Sequence, residues 1–239
     1  MNESDGSGVK SAERALTILE LFSRPGQALT FTQVAELLGY PRSSLHGLLR
    51  TLTDRGWLRL DPATRRFSLG LRAWETGVAY RPAVELQRTA TPVLDELHEE
   101  LDGAVHVVVL DDADAVAVAS SGAPAGGRLV AASGACGQIL LAHLDRTRRE
   151  QCLGRHDGAV DDLHAELERV RDQGFAEGDS PVHDGHRTIA VPLRNRSGDV
   201  VAAIAVTAEP SRLQGAGRDQ ALDALRRAAD NLAPALAPA

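Results

Sequence analysis

The stretch from Thr30 to Gly56 leaves little freedom in how it folds. Thr30-Phe31-Thr32-Gln33 fits the capping box, in which a hydroxyl and an amide reciprocally satisfy free N–H groups at a helix start. Val34, Leu37 and Leu38 follow at helical spacing and are expected to face inward. Gly39, able to adopt left-handed backbone, stops that helix. Pro41 stands where the first residue of another helix belongs. Leu45, Leu48, Leu49 and Leu52 recur at i, i+3, i+4 and i+7, one buried face, and Gly56 ends the run. Upstream, Ser11 as N-cap and the stripe Ala15, Leu16, Ile18, Leu19 and Phe22 predict a first helix, closed by Pro25-Gly26. Downstream, residues 57–60 and 66–69 read as short strands around the turn Asp61-Pro62-Ala63-Thr64. The whole reads as a winged helix-turn-helix.

The other face of the third helix decides what such a head does. At 100° per residue, Ser43, His46, Gly47 and Arg50 point away from the leucines, with Ser44 beside them and Arg42 in the first turn. Hydroxyl, imidazole and guanidinium donors of this kind reach base edges and phosphates in a major groove. Gly47 costs such a helix ~1 kcal/mol relative to alanine, which close approach to DNA would explain. Arg65 and Arg66 lie at the hairpin tip, within reach of backbone or minor groove. The chain carries a formal charge of −7, but residues 1–70 carry +2 and the remainder −9. An acidic body with a basic head suits a protein whose head meets phosphates. The best base-contact candidate by orientation is Arg50.

With 239 residues, two domains are the expectation. Residues 1–8 read as a disordered tail, 9–70 as the DNA-binding domain, 71–82 as a linker helix broken at Arg81-Pro82, and 83–239 as an α+β domain. In the last, a long helix over 83–101 precedes strands at 104–110, 114–120 and 127–132. Helices follow at 136–144, 146–153 and 160–173, then strands at 175–179, 186–193 and 199–208, and a final helix at 218–232. Asn195-Arg196-Ser197-Gly198-Asp199 has the chemistry of a hairpin turn. No apolar run approaches the ~20 residues needed to span a bilayer. Two cysteines, no CxxC spacing and no signal-peptide pattern predict a cytoplasmic protein with free thiols.

The segment SAERALTILELFSRPGQALTFTQVAELLGYPRSSLHGLLRTLTDRGWLRLDPATRRFSLG resembles the DNA-binding domain of the IclR family of bacterial transcription regulators. ASGACGQILLAHL and GHRTIAVPLRNRSGDVVAAIAV resemble two segments of the family's second domain, in its order and spacing. The resemblance implies a GAF/PAS-like effector-binding domain and a small-molecule effector, often an organic or aromatic acid, that shifts affinity for a duplex DNA operator. It implies a homodimer or a dimer of dimers joined through residues 11–24 and 70–80. By position, Ser133, Gly134 and Ala135 match the segment whose N–H groups meet an effector carboxylate, a natural anion site at a helix start. Thr188 and Thr207 match polar pocket positions, and Asp179 matches an acidic position at the pocket's edge. His186 lies two residues before Thr188 in an extended segment and is expected to share its face. Gln138 stands where the family commonly has lysine, and Ser180-Pro181 replace a common acidic pair. An aromatic or less charged effector, or none, therefore stays open.

Other chemistries fare worse. His183-Asp184-Gly185-His186 and Cys136 invite a metal reading, but closed N/S ligation is not evident in their spacing. No GxSxG elbow, Walker loop or HExxH is present. A thiol at a helix start can have a lowered pKa, yet Gly134-Ala135-Cys136-Gly137 is small enough to be packing. His106, on a strand, reads as structural. The expectation is a regulator, neither enzyme nor metalloprotein, with no cofactor and no membrane partner.

Overall fold

Residues 9–23, 26–154 and 160–236 are described by a computed structural model; the expected tail at 1–8 and Pro25 lie outside them. The chain forms two compact units, residues 1–81 and 82–239.

In the first unit, α1 (Lys10–Leu21), α2 (Phe31–Leu38) and α3 (Arg42–Asp54) pack around Ile18, Phe22, Val34, Leu45, Leu49, Leu52 and Leu58. The capping box at Thr30 is complete, and Gly39 closes α2 in left-handed backbone at φ +62°. Three local expectations are corrected. Ser11 lies inside α1, whose N-cap is Val9 without a side-chain bond. Pro41 is the N-cap of α3 rather than its first residue. Leu16 and Leu37 are exposed, because a core of seven buried side chains covers only the middle of each apolar stripe.

Strands β1 (Leu29–Thr30), β2 (Leu58–Leu60) and β3 (Arg66–Leu69) form an antiparallel sheet in the order β1-β3-β2. Between β2 and β3, Asp61 Oδ1 accepts from the Ala63 N–H at 2.9 Å and Oδ2 from the Thr64 hydroxyl at 2.8 Å. Those bonds, the Thr64 hydroxyl first, hold the Asp61 carboxyl below the usual range. Helix α4 (Leu71–Gly77) follows. A Cβ on Gly70 would lie 2.1 Å from the Gly56 carbonyl oxygen, so only glycine fits there.

The second unit is α+β. Its α5 (Arg81–Leu101) starts at Arg81-Pro82 instead of being preceded by a break there, since proline fits a helix's first turn. Pro92 within α5 removes one helical N–H without ending the helix. Six strands form one antiparallel sheet, β6-β5-β4-β9-β8-β7: β4 (Ala104–Asp111), β5 (Asp114–Ser121), β6 (Arg128–Val130), β7 (Ala176–Asp179), β8 (Arg187–Arg194) and β9 (Val200–Ala208).

Strand alternation gives the sheet two unlike faces. One presents Val105, Val107, Ile189, Val191, Leu193, Ile204 and Val206 to α5 and to α9 (Ala216–Leu232). The other presents Ala190, Ala203 and Ala205 to α6 (Ala135–Ala142), α7 (Arg146–Leu153) and α8 (Val160–Gln173). In the β8–β9 turn, Asn195 Oδ1 accepts from the Ser197 and Asp199 N–H groups, and Gly198 takes φ +90°.

Candidate nucleic-acid interface and ligand pocket

Helix α3 is sharply two-sided. Leu45 and Leu49 are 0% and 2% exposed, whereas Arg42, Ser43, His46, Gly47 and Arg50 are all exposed. The Arg42 guanidinium lies 5.9 Å over the Phe31 ring, and the His46 ring centroid is 6.4 Å from the same ring. The aromatic ring therefore braces two donors of the outer face. Arg50 faces Asp54 at 3.6 Å, a solvated pair that leaves its donors available. Gly47 has open space where a Cβ would be, so no neighbour within the chain requires glycine there.

Ser44 stands apart from this group. It is half-buried beside α1, where its Oγ accepts from Arg14 Nη1 at 3.2 Å. Arg14 also lies 5.0 Å over the Tyr40 ring, so α1 contributes a fixed cation beside α3. Sequence reasoning overlooked Arg14, although a signal was present. It precedes Ile18 by four residues and Phe22 by eight, so a cation on the buried stripe of α1 must emerge against a neighbouring helix.

The two wing arginines also differ. Arg66 Nη1 donates to the Ala28 carbonyl at 2.8 Å, fastening the wing to the approach to α2. Arg65, exposed at the tip, takes left-handed backbone at φ +55°, and its guanidinium makes no hydrogen bond or ion pair among the described residues.

In the second unit, Thr188 and Thr207 pair across β8 and β9 on the face toward α6. Their hydroxyls are 2.9 Å apart and both side chains are 6% exposed. Residues Ala131–Ser133 form a 3-10 turn and Gly134 is the extended N-cap of α6, with no side-chain cap. Ser133 is exposed and Ala135 is buried. The Pro181 ring lies over Gly134, so that a Cβ there would stand 3.1 Å from Pro181 Cγ.

The β7–β8 loop folds back on itself. Ser180 N–H donates to the His186 carbonyl at 2.8 Å, and Ser180 Oγ accepts from the Val182 and His183 N–H groups. His183 and His186 rings sit 5.8 Å apart. Both line a cleft of about 420 Å³ at the end of the sheet, together with Ala104, Gly122, Thr207 and Arg212. Asp179 is placed differently: exposed at the end of β7, it pairs with Arg187, while Gly178 opposes Thr188.

Two groups mentioned above acquire definite environments. Burial pushes the Cys136 thiol up to about 12, which keeps it a thiol at neutral pH. Nδ1 of His106 is buried and has no hydrogen-bond partner among the described residues. Burial, with the charge of His183, lowers this imidazole to about 4, so it is neutral near pH 7. Among the described residues, no three His, Cys, Asp or Glu side chains are placed to hold a metal ion, and no helix is long and apolar enough to cross a membrane.

Comparison with known proteins agrees along the whole described chain. The model of the IclR helix-turn-helix domain matches residues 11–62, and that of the bacterial transcriptional regulator IclR C-terminal domain matches residues 78–233. The HTH-type transcriptional regulator BhcR of Paracoccus denitrificans is 30% identical over 256 residues, covering 100% of this chain and 91% of its own. The Pca regulon regulatory protein of Pseudomonas putida is 30% identical over 227 residues, covering 87% and 77%. A solved transcriptional regulator from Rhodococcus sp. RHA1 superimposes with a TM-score of 0.72 at 27% identity, covering 96% and 98%. An IclR homologue from Microbacterium hydrocarbonoxydans, solved in complex with 4-hydroxybenzoate, has the same fold, with a TM-score of 0.78 at 23% identity over 95% and 99%. From its two-sided recognition helix to its six-stranded sheet, this chain belongs to the IclR family of bacterial transcriptional regulators.

Proposed function

We propose that Arg42, Ser43, His46 and Arg50 read operator DNA, with Arg65 and Arg66 in the wing and Ser44 acting through Arg14. The observation that carries this is the two-sidedness of α3: Leu45, Leu49 and Leu52 inside, Arg42, Ser43, His46 and Arg50 outside. Arg50 makes the base contact and Arg65 a phosphate contact. In footprinting of the DNA upstream of its own gene, the wild-type protein protects a discrete site and Arg50→Ala does not, while thermal melting of the variant is unchanged. An unchanged footprint overturns the assignment.

The second unit is the sensor. Its ligand lies under α6, on the face that carries Thr188 and Thr207, with Gly134 and Ala135 at the start of α6, Ser133 just outside and His186 in the loop above. Asp179 has its place at the rim. The buried hydroxyl pair and the start of α6, led by Gly134 and capped by no side chain, support this reading, as does the 4-hydroxybenzoate held by the Microbacterium hydrocarbonoxydans homologue. Small organic and aromatic acids are the class to test, and occupancy changes operator affinity through a coupling free energy. A thermal-shift panel of such acids gives at least one hit; a blank panel overturns the sensor reading.

Two copies associate through α1 and the linker helix. Leu16 is 60% exposed, Leu71 68% and Trp74 63%, large apolar side chains of the DNA-binding unit that a second copy would cover. Light scattering reads a dimer or a dimer of dimers; a monomer overturns this. The protein acts in the cytoplasm, where its DNA is, and not as an enzyme.

A further inference from the structure

Aromatic residues are 3% of this chain, and the buried core of the DNA-binding unit is aliphatic apart from Phe22. Volume alone would be met by leucine at position 31, yet a ring stands there. Phe31 is the first residue of α2, half-buried, with part of its surface against that core and another part toward the first turns of α3. Its backbone is held firmly. Just before it, Thr30 is tied down by the capping box, its N–H donating to Gln33 Oε1 at 2.9 Å, and it pairs in register with Arg66 of the wing. Arg66 Nη1 in turn donates to the Ala28 carbonyl at 2.8 Å. The ring is thus a rigid platform where the wing, α2 and α3 meet.

Arg42 and His46 lie four residues apart on α3 and so share one stripe of its surface. That stripe runs over the platform. The Arg42 guanidinium carbon is 5.9 Å from the ring centroid, within reach of cation–π attraction, and the His46 ring is 6.4 Å away, tilted by 57°. Both side chains are otherwise exposed, and neither makes a hydrogen bond or an ion pair among the described residues. The ring therefore restrains their rotamers while leaving every nitrogen of both free to bond DNA. A side chain loose on a helix surface gives up rotamer freedom when it binds, and one already held gives up less. Resting on the reading of α3 given above, we propose that Phe31 is a positioning residue of operator recognition, acting through Arg42 and His46, which it presets for their contacts with DNA.

The test measures affinity by fluorescence anisotropy with the full-length protein, on the duplex it protects upstream of its own gene and on an unrelated duplex of equal length. Phe31→Leu and Phe31→Met keep apolar bulk without a ring. Both are expected to bind the operator about 10-fold more weakly, since each of two side chains costs about 2- to 10-fold to order. Affinity for the unrelated duplex stays within about 2-fold, because the charge of the head is unchanged. Phe31→Tyr, which keeps the ring, binds as the wild type does. In a protein already carrying Arg42→Ala and His46→Ala, the loss caused by Phe31→Leu shrinks below about 2-fold, because nothing is left to position. A packing role alone would weaken binding to both duplexes together, along with the melting temperature, and would persist in that background. Either result overturns the proposal, as does wild-type operator affinity in Phe31→Leu and Phe31→Met. If Arg42→Ala with His46→Ala weakens operator binding and the Phe31 variants do not, the reading of α3 stands and positioning by Phe31 fails. If Arg42→Ala with His46→Ala binds the operator as the wild type does, those two donors do not read DNA and the proposal falls with them.

Discussion

On α3, four polar side chains stand outside a helix whose other face is leucine. On β8 and β9, two hydroxyls stand inside, on the alanine face of a sheet roofed by a helix. The DNA-binding unit displays its chemistry on a convex surface, where charge is cheap to expose and reaches a large polyanion. The second unit encloses its hydroxyl pair, on a sheet face whose alanines let α6 pack close. An outward site is defined by what its residues carry, and an inward one largely by what they lack.

The contrast is broken most severely at Gly137. A Cβ there would lie 1.9 Å from the Ala131 carbonyl oxygen, against backbone that cannot yield. Gly137→Ala is expected to destabilise the second unit by about 3 kcal/mol or more, seen as a lowered midpoint in urea unfolding. Gly47→Ala on the outward site is the counterpart. Its Cβ meets nothing within 4 Å, so stability should rise by roughly 0.5–1 kcal/mol while operator affinity falls. A Gly47→Ala protein that binds its operator normally would remove close approach as the reason for that glycine.

A milder test lies in the hydroxyl pair. Thr188→Val leaves the Thr207 hydroxyl buried alone and should cost about 1–2 kcal/mol in the same unfolding experiment. Replacing both threonines by valine should cost less than the sum of the two single changes. Additive costs would mean that the two hydroxyls do not depend on each other. The smallest effect separates the wing arginines. Arg65→Ala should lower the slope of log affinity against log salt by about 1 without changing stability. Arg66→Ala should instead lower stability by about 1 kcal/mol, because its bond to the Ala28 carbonyl is lost. Identical behaviour of the two would erase the distinction.

The outward site was more legible in the sequence because its signals are local. A capping box, a glycine stop and a leucine stripe are written within one or two helical turns, and the face opposite the stripe follows by geometry. Where reading failed, the cause was tertiary. Leu16 and Leu37 obey the helical period but overhang a core too small to cover them. Strand β1 is two residues long and exists only because β3 pairs with it. Ser44 sits at the border of the outer face, and only the arrival of Arg14 from α1 turns it inward. On the inward site, the family resemblance pointed to Thr188 and Thr207, and the structure pairs them across β8 and β9 on one face. That resemblance could not reveal that Nδ1 of His106 lacks a partner among the described residues, since that depends on every atom packed around it. Nor could it show that Asp179 opposes Arg187, because strand register is fixed by pairing between distant segments.

A regulator of this kind passes much of its life with no signal bound, and the unliganded sensor has to be a stable species in its own right. The Thr188–Thr207 pair makes that possible: each hydroxyl has the other, with no guest required. On the proposed site, a ligand that settled against the pair would trade one hydrogen bond for another, and little enthalpy would separate empty from full at that point. The thermodynamic mark of binding would fall instead on the ligand's own apolar surface withdrawn from water. Calorimetry of a bound ligand should accordingly show a negative heat-capacity change as its most constant feature.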